Sequence, residues 1–180
     1  KYINNKFTIE KINVENIAKN FGTPFYCYSY YQLKKNIINF KKKFKSFSPL
    51  ICFAIKSNTN VNLIKEIKKF GLGADVVSMG ELMIALKAGV NPRKIVFSGV
   101  GKTSKEISFA IDKNILLINA ESKSEIQEIH GIIRLKNMAT RALINFVDRE
   151  DGVSFSEHPG VDKIHVQIYN HYDCLLYTSP

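Results

Sequence analysis

The sequence predicts an α/β fold, part of an eightfold (β/α) TIM barrel holding its first four to five strand–helix units. Three observations carry that prediction. Short β-branched runs, "LICFAIKS", "GADVVS", "KIVFSG" and "ILLINA", alternate with helical segments such as "VNLIKEIKKFG", "GELMIALKAG", "SKEISFAID" and "SKSEIQEIH". Alternation of this kind gives parallel strands joined by right-handed crossovers. The runs are evenly spaced: their expected ends are Ser57, Ser78, Gly99 and Ala120, and 78−57, 99−78 and 120−99 are each 21. They are also apolar throughout, as strands covered on both faces are.

Local chemistry sets the boundaries. In "LKKNIINFKKKFK", Leu33, Ile37, Phe40 and Phe44 fall on one helical face with lysines on the other, the pattern of a helix half in contact with a core. Gly71, Gly73 and Gly89 follow helical patterns where a left-handed cap favours glycine, and Pro92 stops the helix before it. Ser104 and Ser122 stand in reach of Glu106 and Glu125 and are expected to be helix N-caps or neighbours of one. An open dinucleotide-binding sheet would place GxGxxG after its first strand. Here "KSNTNVN" stands there, and "GLGADV" from Gly71 lacks the third glycine and precedes its strand. The barrel is the better match. A complete barrel takes about 250 residues, so the 180 present are expected to hold a lead-in segment over 1–29, a partial barrel over 30–147 with "RALINFV" from Arg141 as fifth strand, and a tail over 148–180. The chain starts at Lys1 instead of Met, and its true beginning is expected to lie upstream.

Composition narrows the partners. The net charge of +10, from 26 Lys+Arg against 16 Asp+Glu, would attract any anion, phosphorylated small molecules included. The densest basic run keeps its aromatic residues on the apolar stripe and away from the cations, against a nucleic-acid groove. Cys27, Cys52 and Cys174 form neither CxxC spacing nor an even-numbered framework, so reduced thiols and a cytoplasmic location are expected over a disulfide scaffold. No apolar run approaches the length of a bilayer span.

In parallel α/β folds chemistry collects at the carboxyl ends of the strands. Those positions hold Lys56, Ser57 and Asn58 after the first run, Ser78, Gly80 and Glu81 after the second, "SGVGKT" after the third, and Asn119, Glu121 and Ser122 after the fourth, with Asp75 inside the second. An amine at an apolar rim is partly desolvated, which favours the neutral form that attacks a carbonyl. The alternative for Lys56 is a stem packed on the strand with its head in water. Asp75 could face the same rim and hold the amine or orient a cofactor, or could make a structural ion pair. Glu81 has the further reading of a first-turn helix carboxylate. In "SGVGKTS" the glycine that a nucleotide-binding P-loop needs five places before Gly101 is Val96, so ATP or GTP binding is not expected. His130, His158, His165 and His171, with Asp162, Asp173 and Cys174, match no zinc-site spacing, so no metal is expected. No GxSxG elbow supports a serine nucleophile.

Five motifs together carry a resemblance: "GTPFYCYS" from Gly22, "FAIKSN" from Phe53, "GADVVSMGEL" from Gly73, "IVFSGVGKT" from Ile95 and "INAES" from Ile118. In order and spacing they resemble the diaminopimelate decarboxylase family, within the alanine racemase-like class (fold type III) of pyridoxal-phosphate enzymes, over roughly residues 11–128. Related ornithine and arginine decarboxylases share a lysine followed nineteen residues later by an aspartate, as 75−56 gives here, but differ at "FSGVGKT". The resemblance implies that Lys56 carries pyridoxal 5'-phosphate as a Schiff base and that Asp75 and Glu81 lie near the cofactor. It implies decarboxylation of meso-2,6-diaminopimelate to L-lysine and carbon dioxide, with an amino-acid substrate, a homodimeric parent, and neither nucleic acid nor membrane as partner. Another basic amino-acid decarboxylase and a non-catalytic pyridoxal-phosphate-binding barrel remain alternatives. After about His130 the family's arginine strand, histidine motif, glycine-rich phosphate segment and C-terminal β-domain find no counterpart. The tail is therefore expected not to be genuine family sequence, and this chain by itself is expected to be inactive.

Overall fold

Parallel strand pairing organises the larger part of the chain. The computed structural model describes residues 2–3, 5–136, 140–144 and 161–166, the last two segments as backbone. The chain divides into two compact units, Lys1–Pro49 and Leu50–Pro180.

In the first unit, β1 (Tyr2–Ile3), β2 (Lys6–Ile9) and β3 (Ile12–Asn13) form an antiparallel three-stranded sheet, followed by helices α1 (Val14–Phe21) and α2 (Tyr30–Lys43). Asn13 caps α1 by accepting from the Glu15 N–H, and Ser29 caps α2 by accepting from the Gln32 N–H. The Ser29 hydroxyl and the Tyr31 N–H both donate to Glu10 at 2.6 Å, and these two bonds hold the Glu10 carboxyl below its ordinary pKa. The expected amphipathic helix forms as α2. Its stripe is unevenly covered, because Ile37 is buried while Phe40 is 50% exposed.

In the second unit six parallel strands lie in sequence order: β4 (Cys52–Ala54), β5 (Gly73–Val76), β6 (Ile95–Phe97), β7 (Leu117–Ala120), β8 (Thr140–Ile144) and β9 (Val161–Val166). Helices α3 (Val61–Lys68), α4 (Met79–Lys87), α5 (Ser104–Asp112) and α6 (Lys123–Lys136) make the crossovers. This is the expected succession of strand–helix units, and β8 is the fifth strand expected from Arg141. Of the tail over 148–180 only β9 falls within the described residues.

The strands end earlier than their apolar runs. β4, β5 and β6 stop at Ala54, Val76 and Phe97, and only β7 ends where expected, at Ala120. After β4 the backbone closes a 3₁₀ turn over Ile55–Ser57, secured by the Asn58 N–H donating to the Ile55 carbonyl and the Ser57 hydroxyl donating to the Ala54 carbonyl. Apolar composition had continued into the turn because Ile55 is fully buried.

The core lies between the helices and one face of the sheet. Ala74 and Val76, Ile95 and Phe97, and Ile118 and Ala120 join Leu82, Ala85, Ile107, Ala110, Ile111, Ile129 and Ile133 in one buried cluster. Alternate residues face the other way, as the period of a strand requires. Asp75, Val96 and Leu117 are only half-buried, so that second face is less completely covered than the first. Adjacent strands place Ala54, Asp75, Val96 and Leu117 in one row.

Gly71 and Gly89 adopt φ of +82° and +78°, as expected of helix C-caps. Gly73 does not: it begins β5, and a Cβ there would meet the Lys94 carbonyl oxygen at 2.1 Å and the Cys52 sulfur at 2.9 Å. Close approach of neighbouring backbone, and not a left-handed cap, requires this glycine. Gly73→Ala is therefore expected to lower unfolding stability by about 1–3 kcal/mol in urea denaturation, and a wild-type midpoint would contradict the packing.

Candidate active site at the carboxyl ends of the strands

The half-covered face of the sheet carries a polar row near the strand ends. The Ser98 hydroxyl, one residue past β6, donates to Asp75 Oδ1 at 2.7 Å, and Asn119 Nδ2 in β7 donates to Ser98 Oγ at 2.9 Å. Three adjacent strands are thereby joined through side chains. Asn119 is 6% exposed, and its Oδ1 is buried without a hydrogen-bond partner among the described residues.

Lys56 sits in the 3₁₀ turn that leaves β4, next to the strand that bears Asp75. Ile55, fully buried, pins the turn, while the Lys56 side chain is exposed. It makes no hydrogen bond or ion pair among the described residues. The sequence had implied an amine held partly out of water at the rim, whereas the described residues leave it open to solvent. An aldehyde can reach it there.

Glu81 performs a local task. Its Oε2 accepts from the Val77 N–H at 3.0 Å, and its own N–H donates to Ser78 Oγ at 3.2 Å. The pair caps α4 and fixes the loop after β5, as a carboxylate in a first helical turn commonly does. Glu106 does the same for α5 in a capping box with Thr103, and its Oε1 also accepts from the Met79 N–H at 3.1 Å. The N–H groups of Thr103 and Met79 hold the Glu106 carboxyl below its usual pKa. Ser104 is thus the neighbour of the cap, while Ser122 accepts from the Glu125 N–H at the start of α6.

Lys102 is the residue whose role sequence reasoning missed. Its ammonium is turned into the protein, where it donates to the Gly99 carbonyl at 2.6 Å, the Asn119 carbonyl at 2.6 Å and Glu125 Oε1 at 3.0 Å. The two charged side chains are 1% and 7% exposed, and the ammonium lies 5.8 Å from the centroid of the Phe97 ring. Glu125 Oε2 accepts from the Glu121 N–H at 2.7 Å, so both carboxylate oxygens are occupied. All three ammonium protons are used as well. The "GVGKT" lysine is therefore turned inward and clamps the loop after β6 to the loop after β7. Gly99, with φ of +95°, lets the loop turn back over the ammonium. The signal in the sequence was the acidic Glu125 on α6, the helix after β7, which no spacing rule links to Lys102.

Cys52 neighbours this site on β4. Burial, followed by the nearby Asp75 carboxylate, pushes its thiol up to about 12, against a smaller opposing pull from Lys94. Cys27 is exposed, and both thiols are free. Of the histidine-rich set, His158, His171, Asp173 and Cys174 lie outside the described residues, as do the side chains of Asp162 and His165. Among the described residues no helix is long and apolar enough to cross a membrane.

Comparison with known proteins decides the family. The sequence profile described as pyridoxal-dependent decarboxylase, pyridoxal binding domain, matches residues 30–156. The chain belongs to the pyridoxal-dependent decarboxylases. It is 42% identical over 132 residues to a diaminopimelate decarboxylase of Helicobacter pylori strain J99, covering 73% of this chain and 33% of that protein. Among solved structures it is similar to AQ1208 of Aquifex aeolicus, with a TM-score of 0.77 and 40% identity over 80% of this chain and 36% of that one. The crystal structure of H. pylori diaminopimelate decarboxylase complexed with L-lysine matches with a TM-score of 0.71 and 41% identity, covering 73% and 34% respectively. The chain thus spans about a third of the length of the curated relatives that it matches. The partial alanine racemase-like barrel expected from the sequence is the fold of this family.

Two outcomes check the site. Lys102→Met leaves a buried carboxylate without its cation and is expected to cost about 3–5 kcal/mol in urea unfolding, with part of that loss recovered in the Lys102→Met/Glu125→Leu pair; an unchanged midpoint in the single variant would contradict the clamp. In alkylation at neutral pH followed by peptide mapping, Cys27 is expected to be modified well before Cys52, because the thiolate is the reactive form. Equal rates would show that Cys52 is not shielded.

Proposed function

We propose that this chain is the pyridoxal-phosphate-binding part of a diaminopimelate decarboxylase, which converts meso-2,6-diaminopimelate to L-lysine and carbon dioxide. The observation that carries the reading is the exposed Lys56 amine at the carboxyl end of β4 beside the strand bearing Asp75, in a chain 42% identical to a diaminopimelate decarboxylase over 132 residues. The L-lysine complex of the H. pylori relative supports a diamino acid as the substrate class.

The residues present fit pyridoxal 5'-phosphate. Lys56 offers a primary amine that an aldehyde can approach, and Asp75 offers a carboxylate held by a hydroxyl donor. Asn119 Oδ1 adds a buried acceptor not yet used by the described residues. When bound, pyridoxal phosphate supplies the electron sink that takes up the electron pair left as carbon dioxide departs. Lys56 would hold the cofactor through its Nζ, an exposed primary amine next to the strand that bears Asp75. Asp75, oriented by Ser98, orients the tethered group. Glu81 serves the site by holding the loop after β5, through the Val77 N–H. Lys102 has no proton to spare and would not be the group that holds the phosphate.

The working protein is proposed to be a cytoplasmic homodimer without nucleic acid or membrane partners, and the free thiols of Cys27 and Cys52 among the described residues accord with a reducing compartment. The lead-in over 1–29, barrel over 30–147 and tail over 148–180 remain the proposed segmentation.

Borohydride reduction of the full-length protein with pyridoxal phosphate, followed by peptide mapping, is expected to leave the pyridoxyl group on Lys56. Label on another lysine would overturn the site. In a parallel assay meso-diaminopimelate is expected to be consumed with release of lysine, and exclusive turnover of a different diamino acid would reject the substrate.

A further inference from the structure

We infer that Ser98 and Asn119 are positioning residues for Asp75: a hydrogen-bonded chain across β5, the end of β6 and β7 fixes the carboxylate at the face where the cofactor is handled. The inference rests on the function proposed above and adds two residues to it.

Proton accounting fixes the direction of the chain. An ionised carboxylate has no proton to give, so the one hydroxyl proton of Ser98 points at Asp75 Oδ1, across 2.7 Å. The Ser98 oxygen must then accept, and it accepts from Asn119 Nδ2 at 2.9 Å. The amide of Asn119 is thereby oriented with its nitrogen toward Ser98 and its oxygen away. Turning the amide over would satisfy Oδ1 with the serine proton but strip Asp75 of its donor. The orientation that serves the carboxylate is kept even though Asn119 Oδ1 is left buried without a partner among the described residues. A hydrogen bond to a charged acceptor is stronger than one between neutral groups, which explains the choice.

The chain is anchored at its far end. The carbonyl of Asn119 accepts from the buried Lys102 ammonium at 2.6 Å, and so does that of Gly99, one residue beyond Ser98. Both links in the relay are therefore attached to backbone held by the Lys102–Glu125 pair. Asp75 is oriented by groups that need not touch the cofactor or substrate.

The test uses the full-length protein and four variants: Ser98→Ala, Ser98→Thr, Asp75→Asn and the Ser98→Ala/Asp75→Asn pair. The primary readout is the dissociation constant for pyridoxal phosphate added to the apo protein, followed by its absorbance; kcat/KM with meso-diaminopimelate is the second. Loss of the serine hydroxyl is expected to weaken cofactor binding roughly ten-fold or more, the scale of a hydrogen bond to a charged group. Threonine, which keeps the hydroxyl, is expected to restore most of it. In the Asp75→Asn background the serine substitution is expected to add little, because the residue acts through Asp75. Losses that simply add in the double variant, a Ser98→Thr protein no better than Ser98→Ala, or a Ser98→Ala protein that binds like wild type would each overturn the relay. Wild-type protein that takes up no pyridoxal phosphate would overturn the proposed function and the relay with it; wild type that binds at Lys56 while Ser98→Ala matches it overturns the relay alone.

Discussion

An ammonium group taken out of water must find an acceptor for each of its protons, and Lys102 finds three within the protein. The cost of burying it is offset only because Glu125 and the carbonyls of Gly99 and Asn119 converge on one point. That convergence fixes the loop after β6 against the loop after β7. The carboxyl edge of a parallel sheet is where backbone is least restrained by ladder hydrogen bonds, so a clamp there has more effect than one in mid-strand. Asn119 is held by its carbonyl on one side and presents its amide to Ser98 on the other. Through Ser98 the order imposed by Lys102 extends to Asp75.

The two faces of the sheet divide the work. Ala74, Val76, Ile95, Phe97, Ile118 and Ala120 close against the helices and leave almost no exposed surface. The opposite face carries the half-buried Asp75 and the buried Asn119. Polar groups are tolerated there because they satisfy one another, and the Asn119 amide oxygen, buried without a partner among the described residues, is the departure. Lys56 completes the edge by a different device, a tight turn anchored by the buried Ile55. The turn sets the exposed Lys56 directly after the fully buried Ile55 that anchors it.

The fold was legible because a strand-and-helix repeat writes itself as alternating apolar periods, and the positions of Lys56 and Asp75 followed from where parallel strands end. Strand ends were read too late because Ile55 looks like strand in a sequence, though it is the anchor of a turn. Gly73 fits a helix cap in sequence because it lies two residues past Gly71; the Lys94 carbonyl that actually requires it comes from the 3₁₀ turn leading into β6, twenty-one residues on, as 94−73 gives. In sequence Lys102 reads only as a nucleotide-loop lysine, since its partner Glu125, on the helix after β7, is brought to it by the pairing of β6 with β7 and not by any local motif. Ser98 and Asn119 were visible as strand-end residues, but their bonding to Asp75 depends on the register of three strands.

The most direct test of an edge ordered from Lys102 to Asp75 is a crystal structure of the full-length protein with pyridoxal phosphate bound. The expected result is a cofactor bonded to Lys56 Nζ, with Asp75 still accepting from Ser98 and the Lys102 ammonium still enclosed by Glu125, Gly99 and Asn119. A cofactor carried by another lysine, or a Lys102 side chain swung out to the phosphate with the Ser98–Asp75 bond broken, would contradict it.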